Sequence, residues 1–255
     1  MNDELKEVRA LIKEAKSIVF FGGAGVSTAS GIPDFRSATG LYNRRENTNF
    51  SPEYMLSHEF LMLEPDAFSD YVKKNLFAPE AKPNGAHIAL KELEDEGKLL
   101  GVITQNIDGL HQMAGSKKVL EIHGNLTDYY CMDCHKAYTK EDFLKVSGAL
   151  HCNCGGLVRP DVVLYGEGLP MDVWSEAVSL IEQAEVFIVG GTSLVVYPAA
   201  SLLQYYRGNK LILINQEPTP RDAYSDYVIH GDISTTTATP PRTAASSSGP
   251  PICPQ

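Results

Sequence analysis

Four cysteines fall in two close pairs: Cys131-Met-Asp-Cys134, seventeen residues, then Cys152-Asn-Cys154-Gly-Gly. Paired thiols on tight turns supply two ligands each, and zinc accepts four such sulfurs in a tetrahedron. A site closed by four thiolates keeps no open position, so its expected role is structural. The competing arrangement, two disulfides, suits a secreted chain, and the N-terminus here has no signal-peptide h-region. His135 and His151 flank the pairs, but four thiols already complete the ligand set. Cys253 stands apart near the C-terminus and is expected to be a free thiol.

A second set of residues has the chemistry of an anion cradle. Ser17-Ile-Val-Phe-Phe21 runs into Gly22-Gly-Ala-Gly-Val-Ser-Thr28. A strand that ends in glycines lets backbone amides approach a phosphate. The pattern G-x-G-x-x-G lacks its third glycine, with Thr28 in its place. A hydride-transferring dinucleotide domain continues into a helix, a second strand and an acidic residue about 20 positions on. Here Pro33 opposes a continuing helix, no strand follows, and Glu46 has the offset without the context. What remains is a phosphate loop followed by the irregular stretch Asp34-Phe35-Arg36. Arg36 is either a phosphate ligand or a surface partner of Asp34.

Other polar clusters follow apolar runs: Thr104-Gln-Asn-Ile-Asp-Gly-Leu-His111, Glu121-Ile-His-Gly-Asn125, Gly191-Thr-Ser193 and Asn215. Ligands in open α/β sheets bind beyond the carboxyl ends of strands, so these four places converge on one crevice. Spacing alone leaves open which of His111 and His123 is chemically active. His58, His87 and His230 have no such context.

The elements that must position these groups are apolar runs at 17–21, 100–104, 119–122, 162–164, 186–190 and 211–214. They are continuous rather than alternating, as in parallel strands covered on both faces. Helical patterns lie at 4–15, 85–97, 172–183 and 198–207, the second capped by Asn84 and stopped by Gly97. The alternation predicts a doubly wound, Rossmann-like parallel sheet built from 1–36, 81–126 and 161–233. Two insertions interrupt it: 37–80, with short helices near 52–58 and 66–77, and 127–160, with the cysteines. Together they predict a smaller helical and zinc-ribbon module. Residues 234–255, rich in Ser, Thr, Pro and Ala, are expected to be a disordered tail.

Composition narrows the function. The 255 residues carry 22 Lys and Arg against 32 Asp and Glu, a formal charge of −10. A general nucleic-acid binder needs a basic face, which argues against that class and against reading the cysteines as a stand-alone nucleic-acid ribbon. No apolar run reaches the roughly 18 residues of a membrane helix, and a cytoplasmic location is expected.

Taken in order, GAGVSTASGIPDFR (23–36), TQNIDGLH (104–111), HGN (123–125), the cysteine pairs, RPDVVLYGE (159–167), GTSLVVYP (191–198) and INQEP (214–218) resemble the sirtuins, NAD-dependent protein-lysine deacylases, in their bacterial form. The resemblance spans about residues 5 to 233. It implies a deacetylase that consumes NAD as co-substrate, carries structural zinc and acts on acetyl-lysine-bearing proteins or peptides, with no nucleic-acid or membrane partner. It implies that Ala24, Thr28, Phe35, Arg36, Gln105, Ile107 and Asp108 line the NAD site, and that Thr192, Ser193 and Asn215 hold phosphates and adenosine ribose. Asp232 and Ile233 would add adenine contacts. His123 would be the general base and Asn106 would shape the catalytic pocket, leaving His111 structural. Val163, Tyr165 and Val195 would flank the acyl-lysine, whose peptide would add as a strand between the two modules.

This sequence departs from the family at several points. Tyr165 replaces a common Phe, Gln216 replaces a commonly apolar residue, and the closing C-terminal helix is missing from the sequence pattern. Members that prefer acidic acyl groups carry Tyr-x-x-Arg. Tyr71-Val-Lys-Lys74 has Lys instead, so deacetylation is favoured over desuccinylation. Protein ADP-ribosyl transfer and longer-chain or acidic deacylation are the alternatives on the same scaffold.

Overall fold

A computed structural model describes residues 3–35, 40 and 50–236. Arg36, Glu46 and Cys253 lie outside the described residues, as does 237–255 of the expected tail.

The first helix, α1 (Asp3–Glu14), places Val8 against the sheet and Ile12 beside it, as the helical spacing requires. Strand β1 (Ile18–Gly22) follows and is buried along its whole length. Its odd and even residues serve different cores. Val19 and Phe21 pack on one face of the sheet, Ile18 and Phe20 on the other. That two-sided burial is why the run is continuously apolar.

Three short helices come next: α2 (Pro52–Met55), α3 (His58–Leu63) and α4 (Pro65–Asn75). The stretch expected as one helix near 52–58 breaks because Ser57 caps a new helix, its Oγ accepting from the Phe60 amide at 3.1 Å. Helix α5 (Gly85–Asp95) starts from a capping box on Asn84, and Gly97 then takes φ +72°. Strands β2 (Leu99–Thr104) and β3 (Val119–Glu121) flank α6 (Leu110–Met113).

The chain then builds β4 (Gly124–Cys131), β5 (Ala137–Tyr138), α7 (Lys140–Lys145), β6 (Leu150–His151) and β7 (Leu157–Val162). It returns through α8 (Met171–Gln183), β8 (Val186–Gly190), β9 (Leu211–Asn215), β10 (Tyr227–His230) and α9 (Ile233–Thr236).

Six strands form a parallel sheet in the order β10-β9-β8-β1-β2-β3. The chain winds outward from β1 to β2 and β3, then from β8 to β9 and β10 on the opposite side. The reversal between β1 and β8 is where such sheets open a binding crevice. Helices α1 and α5 cover one face, and α8 with the 3-10 helix Ala199–Tyr205 covers the other. A separate antiparallel sheet has the order β5-β4-β7-β6.

Several expectations are corrected. Residues 162–164 are not a strand of the parallel sheet: β7 ends at Val162 and pairs antiparallel with β4. The pattern at 198–207 folds as a 3-10 helix rather than an α-helix. Strand β10 was not legible, since it is a short edge strand with no fully buried residue. Residues 233–236, most of them in the expected tail, form the helical turn α9 capped by Asp232, whose Oδ1 accepts from the Ser234 amide at 2.8 Å.

A third core joins the two insertions. Met55, Phe60, Phe68 and Tyr71 from the helices pack with Tyr129, Cys131, Phe143 and Cys152 from the cysteine segment. Lys73 Nζ reinforces the join by donating to the Val146 and Gly148 carbonyls at 2.7 and 2.6 Å.

Candidate functional site

The loops that leave β1 and β8 are bonded to each other. Gly23 N donates to Gly190 O at 3.2 Å, and Gly25 N to Gly191 O at 2.8 Å. A Cβ on Gly25 would lie 2.8 Å from Gly191 Cα, and Gly191 holds φ +59°. Glycine is required at both places by close approach and, at Gly191, by backbone conformation. The chain then makes two 3-10 turns, Ala24–Val26 and Thr28–Ser30, before the irregular residues around Pro33. Asn84 clamps this loop to α5, donating to Val26 O at 2.8 Å and Ser30 Oγ at 2.9 Å.

A cleft of about 520 Å³ opens above these loops. The expected residues Ala24, Thr28, Phe35, Gln105, Asn106, Ile107, Asp108, His123, Thr192, Ser193, Asn215 and Ile233 all line it, with Val163 and Tyr165. Val195 and Asp232 are not among the lining residues. Val195 is exposed on the 191–198 loop, while Asp232 caps α9. Neither Tyr71 nor Lys74 lines the cleft; Asn75 and Leu76 of α4 do.

A relay of side chains crosses the cleft floor. Asn106 Nδ2 donates to Ser27 Oγ at 3.0 Å, and the Ser27 hydroxyl donates to Asp108 Oδ2 at 2.6 Å. Asp108 Oδ1 accepts the Leu110 amide at 2.9 Å. Both Asp108 oxygens are thereby engaged, which fixes the carboxylate where it lines the cleft. Ser27 lies inside the glycine motif, and its place directly after the β1 loop is the sequence signal for this role. Gln105 Nε2 is buried and has no partner among the described residues, although Gln105 Oε1 accepts from Thr192 Oγ1 at 3.4 Å. An orphaned amide donor beside a glycine cradle fits an oxygen-rich ligand such as a nucleotide.

His123 sits on the turn between β3 and β4, with Nδ1 3.1 Å from Gln105 O. A carbonyl only accepts, so Nδ1 carries the proton and the neutral ring keeps Nε2 as a base. Burial lowers the His123 pKa, and the bond to Gln105 opposes this in part. The ring is therefore neutral, and competent to accept a proton, at physiological pH. His111 differs: it is buried between Phe20 and His87, with ring centroids 6.3 and 4.7 Å away, and neither ring nitrogen has a partner among the described residues. Burial, then His87, lowers its pKa to about 3. It belongs to the core, and so does His87, whose Nδ1 accepts from Asn84 N at 3.2 Å.

The segment 163–167 is held from three sides. Val163 N donates to His123 O at 2.9 Å, Tyr165 N to Leu56 O at 3.0 Å, and His58 N to Tyr165 O at 2.9 Å. The buried Arg159 grips Glu167 with both Nη atoms, and Leu164 N donates to Glu167 Oε2 at 2.8 Å. Burial pushes the Glu167 pKa up, but Arg159, the Leu164 amide and His58 outweigh it and leave it below the usual carboxylate value. Arg159 and Glu167 both stand in the 159–167 motif, eight residues apart, but the third partner, His58, comes from the other insertion, so the full anchor is not legible from that motif.

The four cysteines form a separate site. Their sulfurs all lie within 4.8 Å of one another, with Cys131 to Cys154 at 3.5 Å and Cys134 to Cys152 at 3.6 Å, and none is in a disulfide. Sulfurs at about 2.3 Å from a tetrahedral zinc stand roughly 3.8 Å apart, so the cluster fits that ion. A Cβ at Gly156 would lie 2.6 Å from Cys131 Sγ, which keeps this knuckle free of a side chain.

Comparison with known proteins matches residues 23–198 to the model of the Sir2 family. The NAD-dependent protein deacetylase of Clostridium perfringens is 52% identical over 235 residues, covering 91% of this chain and 96% of that protein. A solved Sir2 variant with a deacetylated p53 peptide and 3′-O-acetyl ADP-ribose superposes with a TM-score of 0.84 at 41% identity, covering 91% of this chain and 95% of that one. A Sir2 complex with a p53 peptide and NAD+ gives 0.81 at 42% identity, covering 93% and 96%.

Proposed function

This chain belongs to the Sir2 family, and from that premise we infer how its cleft removes acetyl groups from protein lysines. The protein is an NAD-dependent protein deacetylase that consumes NAD as co-substrate. In the reaction the acetyl-lysine carbonyl oxygen attacks the ribose carbon bearing nicotinamide, which departs. A ribose hydroxyl then attacks the acyl carbon, and with one water the products are free lysine and O-acetyl-ADP-ribose.

The residues divide this work. The amides around Ala24, with Thr28, Thr192 and Ser193, cradle the phosphates, and Asn215 takes the adenosine ribose. Ile107 and Asp108 orient nicotinamide, Asp108 being held by Ser27. Phe35 covers the nicotinamide ribose, and Arg36 reaches a phosphate. His123 Nε2 accepts the ribose hydroxyl proton, and Gln105 fixes the tautomer through its carbonyl. Asn106 shapes the pocket through Ser27. Val163, Tyr165 and Val195 flank the acyl-lysine, and Ile233 with Asp232 closes the adenine end. Zinc on Cys131, Cys134, Cys152 and Cys154 scaffolds the small module. Residues 1–36, 81–126 and 161–233 constitute the NAD-binding unit, and 37–80 with 127–160 the small one.

No helix among the described residues is long and apolar enough to cross a membrane. A cluster of reduced thiols favours a reducing compartment, the cytoplasm.

The observation that carries the division of labour is the His123 Nδ1 bond to Gln105 O inside a glycine-cradled cleft. Its test is incubation with an acetyl-lysine peptide with and without NAD, read by mass spectrometry. Loss of acetyl with appearance of O-acetyl-ADP-ribose is expected. Deacetylation indifferent to NAD, or label from NAD fixed covalently on protein in place of deacetylation, would overturn it.

A further inference from the structure

The cleft is rich in acids. Asp34, Asp108, Glu167 and Glu217 line it, and no lysine or arginine does so among the described residues. One guanidinium is nevertheless built onto its rim. Tyr197 lines the cleft and is 62% exposed. Its hydroxyl accepts from Arg221 Nη2 at 2.9 Å. The Arg221 guanidinium lies 5.9 Å from the ring centroid of Tyr224, which is 73% exposed.

The turn beneath Arg221 is fixed. Arg221 N donates to Thr219 Oγ1 at 3.1 Å, while Asp222 Oδ1 accepts from Thr219 N and Oγ1 at 3.0 and 2.6 Å. The other Asp222 oxygen lies 3.4 Å from His230 Nε2. The nearby carboxylate is therefore engaged elsewhere, and Arg221 has no ion pair among the described residues. A positioned guanidinium without a carboxylate is suited to accept one in two-point geometry. Tyr197, its partner, stands two residues beyond Val195 on the 191–198 loop.

We propose that Arg221, held between Tyr197 and Tyr224, is a specificity-determining residue that recognises an acidic side chain of the acetylated peptide close to its acetyl-lysine. This rests on the deacetylase reading of the cleft. Charge complementarity supports the choice of occupant. No lysine or arginine lines the cleft among the described residues, so the Arg221 guanidinium at its rim is placed to meet an acidic side chain that the cleft itself does not pair.

The test uses the full chain and acetyl-lysine peptides carrying Glu, Gln or Lys at each position within about four residues of the acetyl-lysine, the reach expected of a rim contact. At one or two positions Glu should exceed Gln in kcat/KM by about 3- to 10-fold, through peptide KM, and the gain should shrink with added salt. Arg221→Ala should abolish the preference and Arg221→Glu should turn it toward Lys, while NAD KM stays put. Three results would overturn the assignment: no position favouring Glu, a preference that survives Arg221→Glu, or a rise in NAD KM common to all peptides. The last would assign Arg221 to the dinucleotide. Absence of NAD-dependent turnover of every peptide would overturn the deacetylase reading itself, and this inference with it.

Discussion

The Gly25 amide donates to the Gly191 carbonyl across 2.8 Å, so the loops leaving β1 and β8 are tied together where the sheet reverses. A side chain at either residue forces them apart. Gly191→Ala places a Cβ against Val26 N in a left-handed conformation. The expected result is a loss of about 1–3 kcal/mol of stability and an NAD KM raised about 10-fold or more. Urea unfolding and NAD titration check it, and an unchanged NAD KM would show that the cradle does not hold the dinucleotide.

Replacing His123 separates the two halves of the reaction. His123→Ala should lower deacetylation by about 100-fold or more, yet nicotinamide exchange should persist, because nicotinamide leaves before the base is needed. The partly buried, neutral His123 titrates below the ordinary histidine value of about 6.5. The base form therefore dominates above that lowered pKa, and kcat/KM should hold from neutral pH to below 6.5, then fall as pH drops further. A variant at full rate, or an acid limb above about 6.5, would remove His123 from the role.

His111 ties acid stability to a group outside the cleft. Its pKa is about 3 in the folded chain and near 6.5 when unfolded. Between those values the unfolded chain binds the extra proton, so stability is full above about 6.5 and falls as pH drops toward 3. From pH 7 to pH 4 this single group costs roughly 3 kcal/mol. Since neither ring nitrogen has a partner among the described residues, His111→Leu should fold, and it should lose less stability over that interval by about this amount. Equal acid losses in both proteins, measured by urea unfolding at the two pH values, would contradict the assignment.

Zinc removal should unfold the small module without touching the chemistry of the nucleotide loops. One zinc per chain is expected by elemental analysis. Chelation or Cys131→Ser should lower Tm by about 10 °C or more. Activity should return on adding zinc, and at comparable level with cobalt, since no step passes through the ion. A strong change of kcat with the metal's identity would argue for a catalytic ion.

What was legible in the sequence was local. The continuous apolar runs of β1, β2, β8 and β9 announced a two-sided parallel sheet, and the polar residues just beyond them mapped the cleft. Asn84 and Gly97 bounded α5 because capping chemistry is local. What was not legible depended on distant partners. The His58–Glu167 bond, the His87–His111 stack and the Ser27–Asp108 bond join residues whose types are ordinary. The run at 162–164 misled because an apolar triplet fits the end of an antiparallel strand as well as a parallel one.

The shared core of the two insertions has a consequence for biosynthesis. The helices α2 to α4 leave the ribosome well before Tyr129, Phe143 and the cysteines that they pack against. Their shared core fills as β4, α7 and finally β7 are made, while β1 still lacks β8 on one side. The small module is therefore complete in sequence before β8 to β10 finish the parallel sheet, and its closure waits on metal as well as on sequence.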